Sequence, residues 1–220
     1  MIDIHVVRAA NRHLYERELD EHHRLRADIY IGENRWRALK SVGGREYDQF
    51  DTADATYLLG LDETGRVACG SRLHGSLGPT LMSEVFPQLA NVRGIPRNAE
   101  TVEWTRFFIS PSHRTERASS PVAGTITCGV IQAALDEAAS AVNVVTETFW
   151  LPRFATFGWR IGPLGEPLSH DGLSIVGWTF PIDDAMLEAT RRHYDIPLPR
   201  MVRRGLAAPA RPTASWERIS

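Results

Sequence analysis

With 220 residues, 43% of them hydrophobic, the chain can bury one substantial core, and no repeat or long linker divides it. Its 25 Lys and Arg stand against 27 Asp and Glu, a formal net charge of -2, and no basic run tracks a phosphate backbone, so nucleic acid is excluded as a partner. Met1 to Val7 lacks a charged stretch followed by a long apolar one, and nothing later could span a bilayer, so no membrane partner and a cytoplasmic location are expected.

In chain order, Ile2 to Val7 alternates apolar and polar residues and predicts an opening strand. Asn11 is placed to cap a helix running through Leu14, Leu19, Leu25 and Ile29 until Gly32 and Asn34 stop it, with Arg26 and Tyr30 on one face. Gly43 to Asp54, rich in Gly, Asp and Thr, predicts an irregular loop carrying Asp48 and Asp51; loops this charged are usually solvated. Ala55–Leu61 and Arg66–Leu73, joined by Asp62-Glu63-Thr64-Gly65, predict a hairpin.

Thr101 to Ile109 predicts a further strand, in which strict alternation puts Glu103, Thr105 and Phe107 on one face and Val102, Trp104, Arg106 and Phe108 on the other. Ser120-Pro121 starts a helix whose Val122, Ile126, Val130, Ala134 and Ala138 repeat every four residues and face the core. Asn143 to Phe149 reads as a strand, a helical piece passes through Phe154 to Gly158-Trp159, and Ser174 to Phe180 reads as a late strand. Residues 1–196 form one domain on this reading, and 197–220, dominated by Pro, Ala and Arg, a mobile tail.

Several chemistries fall away. Cys69 and Cys128 are far apart among small or apolar residues and read as buried reduced thiols; His22 and His23 would point in different directions on a helix, so no metal is expected. Gly124 to Gly129 has the glycine spacing of a phosphate loop but is followed by Val130 where a Lys is needed. No G-x-S-x-G elbow or H-E-x-x-H is present.

What remains is an ordered series: Leu25-Arg26, Tyr30, Trp36, Glu46-x-Asp48-x-Phe50-Asp51, Arg72, Phe86 and Glu103-Trp104-Thr105-Arg106-Phe107. Its charges sit beside aromatic or apolar neighbours, where they are costly unless paired or used, and so describe a shaped polar pocket. Singly each piece is weak, since Trp36 alone is more often a packing residue and Glu103 alone could pair structurally with Arg26 or Arg72. As an ordered set the series resembles the signature of the acyl-homoserine lactone synthases, the LuxI-type autoinducer synthases. Tyr30 stands where the family typically has Phe, and Thr105 where it has Ser.

The resemblance implies an α/β (α+β) fold, a single mixed sheet flanked by helices like that of the GCN5-related N-acetyltransferases. A splayed strand pair, here Thr101–Ile109 and Asn143–Phe149, would receive the pantetheine arm of a thioester. It implies acyl transfer from acyl-CoA or acyl carrier protein to the α-amine of S-adenosylmethionine, then lactone closure with loss of methylthioadenosine. S-adenosylmethionine is then a substrate, and no cofactor is expected. The amine is a cation near neutral pH and must lose a proton before it attacks, so a base is needed; Glu103 is the candidate, with Arg72 and Arg106 bracing it and the loop carboxylates.

By the same resemblance Arg26, Tyr30, Trp36, Asp48 and Asp51 form the S-adenosylmethionine side, and Thr105, Val144, Thr146, Phe149 and Trp150 the acyl side. Phe149, Trp150, Phe154 and Phe157 are equally readable as core, which their spacing favours. Val144 disfavours a 3-oxo chain, and the wording Glu103 to Phe108 resembles branch members that take short branched or aryl groups from acyl-CoA. Two other readings are an N-acetyltransferase acting on another amine, against which stands the absence of glycines in Arg114 to Ser120, and a non-catalytic module binding S-adenosylmethionine or a thioester.

Overall fold

The computed structural model describes residues 1–115 and 120–209. Its elements run β1 (Asp3–Val7), α1 (Glu16–Arg26), β2 (Ser41–Val42), β3 (Arg45–Glu46), β4 (Thr56–Leu61), β5 (Val67–Gly75), α2 (Leu81–Glu84), β6 (Thr101–Ile109), α3 (Pro121–Asp136), β7 (Ala141–Glu147), α4 (Leu151–Thr156), β8 (Gly162–Pro163), β9 (Leu168–His170), β10 (Leu173–Pro181), α5 (Asp184–Tyr194) and β11 (Met201–Val202). One mixed sheet orders them β11-β1-β4-β5-β6-β7-β10-β8, with β9 on β10, and β2–β3 forms a separate small ribbon. This is the single sheet with helices that the sequence predicts, and the β4–β5 hairpin, β6 and α3 fall where expected.

The sheet is covered on both faces. On one, α3 and α5 pack over Ile4, Val6, Leu58, Trp104, Val142 and Trp178; on the other, Tyr15, Ile29 and Tyr30 cover Val7, Tyr57, Leu59 and Phe108. Gly124 and Gly129, the glycines of the failed phosphate-loop match, do packing work. A Cβ on Gly124 would lie 2.5 Å from Tyr194 Cγ, and one on Gly129 2.9 Å from Ile4 Cγ1, so their absence lets α3 approach α5 and β1 closely. Cys69 and Cys128 are buried free thiols, and burial pushes both up to about 12, which keeps them unreactive.

The N-terminal helix departs from expectation. Asn11 lies inside a separate 3-10 turn (Ala9–Leu14) and caps nothing beyond it; its buried side chain accepts from Arg8 N and donates to the carbonyls of Val6 and Arg204. After Arg26 the helix widens into a π-turn over Ala27–Glu33, closed by Asn34 N to Ile29 O and followed by Trp36 N to Tyr30 O. Such widened turns insert a residue into the helical phase and often mark functional positions.

Strand β6 departs at one residue. Arg106 has φ 55°, and two residues, Arg106 and Phe107, face Ser71 between the pairs Arg72↔Thr105 and Gly70↔Phe108. This bulge shifts the alternation by one, so Arg106 and Phe108 join Glu103 and Thr105 on the α1 side instead of opposing them. A left-handed Arg is strained and persists only where its surroundings hold it.

The expected strand from Asn143 begins two residues earlier and ends at Glu147, after which Thr148–Trp150 turns into α4. The residues after Pro197 also differ from expectation. Ile4 pairs with Met201 in parallel, Leu206 packs on the core and Arg203 reaches the buried Asp136 at 2.5 Å, so 197–209 belongs to the folded body; residues 210–220 lie outside the described residues. No helix is long and apolar enough to cross a membrane among the described residues.

Candidate active site

Strands β6 and β7 are parallel neighbours only from Thr101↔Ala141 to Trp104↔Val144. Beyond that register both continue, β6 to Ile109 and β7 to Glu147, without pairing, so backbone groups along a V-shaped opening are left for a ligand. Two arrangements flank it, an ionic cluster on the α1 side and an aromatic wall on the α3 side.

The cluster joins Arg26, Arg72 and Arg106 to Glu46, Asp48 and Asp51. Arg26 donates to both Asp51 oxygens at 2.8 and 2.9 Å and through Nε to Glu46 at 2.5 Å. Arg72 grips both Asp48 oxygens at 2.6 and 2.9 Å, Asp51 at 2.8 Å and the Thr105 hydroxyl at 3.2 Å. Arg106 lies 3.0 Å from Glu46 and 2.7 Å from Asp48. Tyr57 adds its hydroxyl to Asp51 at 2.8 Å, and the Asp48 N–H closes the turn on Asp51.

Three cations and three anions cancel, which is what permits their burial. Burial by itself would raise the Asp51 carboxyl, but the Arg26 fork and Arg72 outweigh it and hold the group far below the usual carboxylate range. Arg26, against the pull of burial, is held above its ordinary value by Asp51 and Glu46. The loop, whose composition alone would leave it solvated, thus carries its carboxylates into the buried cluster, and these groups satisfy one another instead of waiting for a substrate. Of the six side chains Asp48, 13% exposed, lies nearest the opening to solvent.

Glu103 does not join this cluster, contrary to the expected bracing by Arg72 and Arg106. Its carboxylate, 1% exposed, accepts the N–H of Leu81 at 2.7 Å and of Met82 at 2.9 Å, at the start of α2. Burial raises its pKa, partly offset by the Met82 N–H, the Thr80 hydroxyl, the Leu81 N–H and the charge of Arg72. It sits one residue before the last β6–β7 pair, at the apex of the V.

Tyr30 and Trp36 stack at 4.9 Å with planes 3° apart, the Tyr30 hydroxyl donates to Phe107 O at 2.9 Å, and the Arg106 guanidinium lies 5.6 Å from the Tyr30 ring. The hydroxyl that distinguishes Tyr30 from Phe therefore ties the π-turn to the β6 bulge, and the half-buried Trp36 stacks on the same ring.

On the other face of the sheet Val144 is buried against an aromatic set in which Phe154 stacks on Trp159 at 5.2 Å, Trp159 on Phe180 at 4.7 Å, and Trp150 on Phe154 at 6.2 Å. Thr146 is half-buried two residues further along β7, beside the opening. Two expected acyl-side residues are placed differently. Thr105 points to the cluster through Arg72 Nε, and Phe149 is 64% exposed, neither core nor enclosed lining. Phe157 is core, as its spacing favours.

Sequence reasoning placed Glu46 in the motif series but missed its role; only its burial between Arg26 and Arg106 shows it as the carboxylate that joins them. It also missed α2, signalled by Thr80-x-x-Ser83, whose side chains cap each other's backbone N–H groups, and His74, which contains no motif at all. Three histidines wrap the cluster: His22 and His23 on α1 and His74 on β5. Burial lowers all three, His23 and His74 to about 4. Groups held neutral in the fold bind protons more readily when unfolded, so the stability they contribute is present above about pH 6.5 and is lost as pH falls toward the folded values. Urea unfolding at pH 7.5 and 5.5 should differ by about 1 kcal/mol for each of His23 and His74; identical midpoints would show that these rings protonate without penalty.

Parallel strands that part beside a buried carboxylate and a buried ionic cluster have the arrangement of an acyltransferase of the N-acetyltransferase-like fold. Comparison with known proteins narrows the class. The autoinducer synthase family profile matches residues 10–190. The isovaleryl-homoserine lactone synthase of Bradyrhizobium diazoefficiens is 42% identical over 164 residues, 74% of this chain and 73% of that protein. An acyl-homoserine-lactone synthase of Agrobacterium fabrum is 28% identical over 188 residues, 83% of this chain and 89% of its own.

Among solved structures, the CoA-dependent acyl-homoserine lactone synthase BjaI, with SAM and isopentyl-CoA, superposes with a TM-score of 0.84 at 36% identity, covering 91% of this chain and 93% of its own. The CoA-dependent synthase MesI gives 0.81 at 42%, covering 90% and 98%. Escherichia coli ElaA, at 16% identity and a TM-score of 0.55 over 81% and 99%, shares the fold alone. The chain belongs to the autoinducer synthase family and is an acyl-homoserine-lactone synthase, an acyltransferase.

Proposed function

We propose that this synthase transfers a short branched or aryl acyl group from acyl-CoA to the α-amine of S-adenosylmethionine and closes the homoserine lactone, releasing methylthioadenosine, in the cytoplasm and without a cofactor. The observation that carries the reading is the parting of β6 and β7 after Trp104↔Val144, with Glu103 at the apex. The relatives named for isovaleryl and isopentyl donors support the choice of acyl group, and so does the aromatic wall: Trp104, Phe154, Trp159 and Trp178 fill the space a long flexible chain would need.

In this reading Glu103 accepts the proton that the ammonium must lose, directly or through water. Burial, by raising its pKa, makes it a better proton acceptor than an exposed carboxylate. Free N–H groups along the splay stabilise the oxyanion formed on attack. The sulfonium is a good leaving group, so lactone closure needs only the carboxylate held against the γ-carbon. The ionic cluster fixes the floor of the acceptor pocket, with Asp48 at its rim for the substrate's positive charges and the second face of Trp36 for adenine or the sulfonium.

Initial rates with isovaleryl-CoA, an aryl-CoA and the matched carrier-protein thioesters test the donor: the CoA series should be preferred, and activity confined to carrier-protein thioesters would overturn that part. Trp36→Ala should raise the KM for S-adenosylmethionine roughly tenfold, the value of a cation–π or stacking contact of about 1.4 kcal/mol, and leave that for the thioester nearly unchanged. The reverse pattern would move Trp36 to the acyl side.

A further inference from the structure

His74 is the cross-strand partner of Glu103 in the antiparallel β5–β6 pair, so the two side chains share one face of the sheet. Arg72, two residues earlier on β5, and Thr105, two later on β6, occupy the same face, which places His74 between the ionic cluster and Glu103. Its ring is 6% exposed and stands edge-on to Phe50 at 6.3 Å. The Nε2 atom is buried and has no hydrogen-bond partner among the described residues. The Phe50 backbone favours a proton on the imidazole, though burial and Arg72 work against it. In the Nδ1–H tautomer the Nε2 lone pair has no partner among the described residues.

Buried polar atoms are nearly always satisfied, and one beside a candidate general base calls for a partner. His22 is unpartnered too, among the described residues, but its ring packs against those of Tyr57, Phe108 and His23 and it is not the cross-strand neighbour of Glu103. The charged groups facing His74 are Arg72 on its own strand, Glu103 on β6, and Asp48 and Asp51 from the loop. Burial and Arg72 keep the ring neutral at pH 7, so its lone pair is free, yet so weak a base will not hold the proton.

We propose that His74 is a further substrate-binding residue, whose Nε2 accepts an N–H of the α-ammonium of S-adenosylmethionine and orients it so that Glu103 takes the proton. This rests on the acceptor pocket assigned above. Two acceptors on one face fix two of the ammonium's three N–H bonds and hold the nitrogen beside the splay, where the amine turns its lone pair toward the thioester once Glu103 has taken the proton.

The test compares S-adenosylmethionine with methylthioadenosine, which has the same adenosine but no amine, by calorimetric titration of the full chain. His74→Asn keeps a donor near Nδ1 and removes Nε2; His74→Gln returns a polar atom near Nε2. The His74→Asn variant should bind S-adenosylmethionine about 10-fold or more weakly, the value of one hydrogen bond to a charged group, with methylthioadenosine unchanged. His74→Gln should recover much of that loss. Equal weakening of both ligands, or no weakening of either, would overturn the proposal, and the former would assign His74 a structural role. A wild-type protein that binds neither ligand would instead remove the acceptor pocket itself.

Discussion

Replacing Arg26 by Met is expected to lower folding stability by about 3–5 kcal/mol, because it leaves buried anions with one cation too few. Arg26 is fully buried and, among the described residues, is the only cation that touches both Glu46 and Asp51. Without it Glu46 keeps Arg106, Asp51 keeps Arg72, and the cluster carries a net negative charge inside the protein. Urea unfolding at pH 7.5 measures the effect. A loss under about 1 kcal/mol would mean that water or a rearranged Arg72 replaces the missing charge. Pairing the change with Asp51→Asn restores neutrality, so the double variant should be less unstable than the sum of the two singles, since charges in one network couple.

Glu103→Gln is expected to reduce kcat about 10²–10⁴-fold, the contribution of a positioned base. It should also cost about 1–3 kcal/mol of stability, because both carboxylate oxygens accept backbone N–H groups and an amide nitrogen would oppose one of them. Methylthioadenosine release at saturating substrates and a thermal melt separate the two effects. Near-normal turnover with a lowered melting temperature would make Glu103 an anchor for α2 and leave the base elsewhere. Its raised pKa gives the pH dependence a sign: the base form fills as pH rises, so kcat should fall on the acid side at a higher pH than an exposed Glu would set.

Much of this site could be read from the chain. The residues of the cluster, Trp36 and Glu103 stand out because their charges and rings recur beside apolar neighbours at spacings a solvated surface does not require. The hairpin β4–β5, strand β6 and helix α3 follow from alternation, a four-residue apolar repeat and a Ser-Pro start. Other elements gave weaker signals. Helix α5 was not expected, although Asp183 caps it by accepting from Met186 N; its half-polar surface blurs the periodicity. Residues 198–209 have a composition common in disorder, and it is their docking on β1, through Met201 and Val202, that orders them.

Strict alternation failed in β6 at Arg106, where one bulge carries the guanidinium to Glu46 and Asp48. A period of two holds only while each residue has one partner across the ladder, and an extra residue reverses every side chain beyond it.

By itself the sequence determined the family, the kinds of group in the site and the order in which the chain supplies them. Which group answers which was decided by the tertiary structure: Arg72 and Arg106 meet Glu46, Asp48 and Asp51, while Glu103 meets two backbone N–H groups and His74 comes to lie beside it. The reason is electrostatic. A buried charge is stable only against a partner within hydrogen-bond reach, and that distance is set by strand register and loop path between residues far apart in the chain.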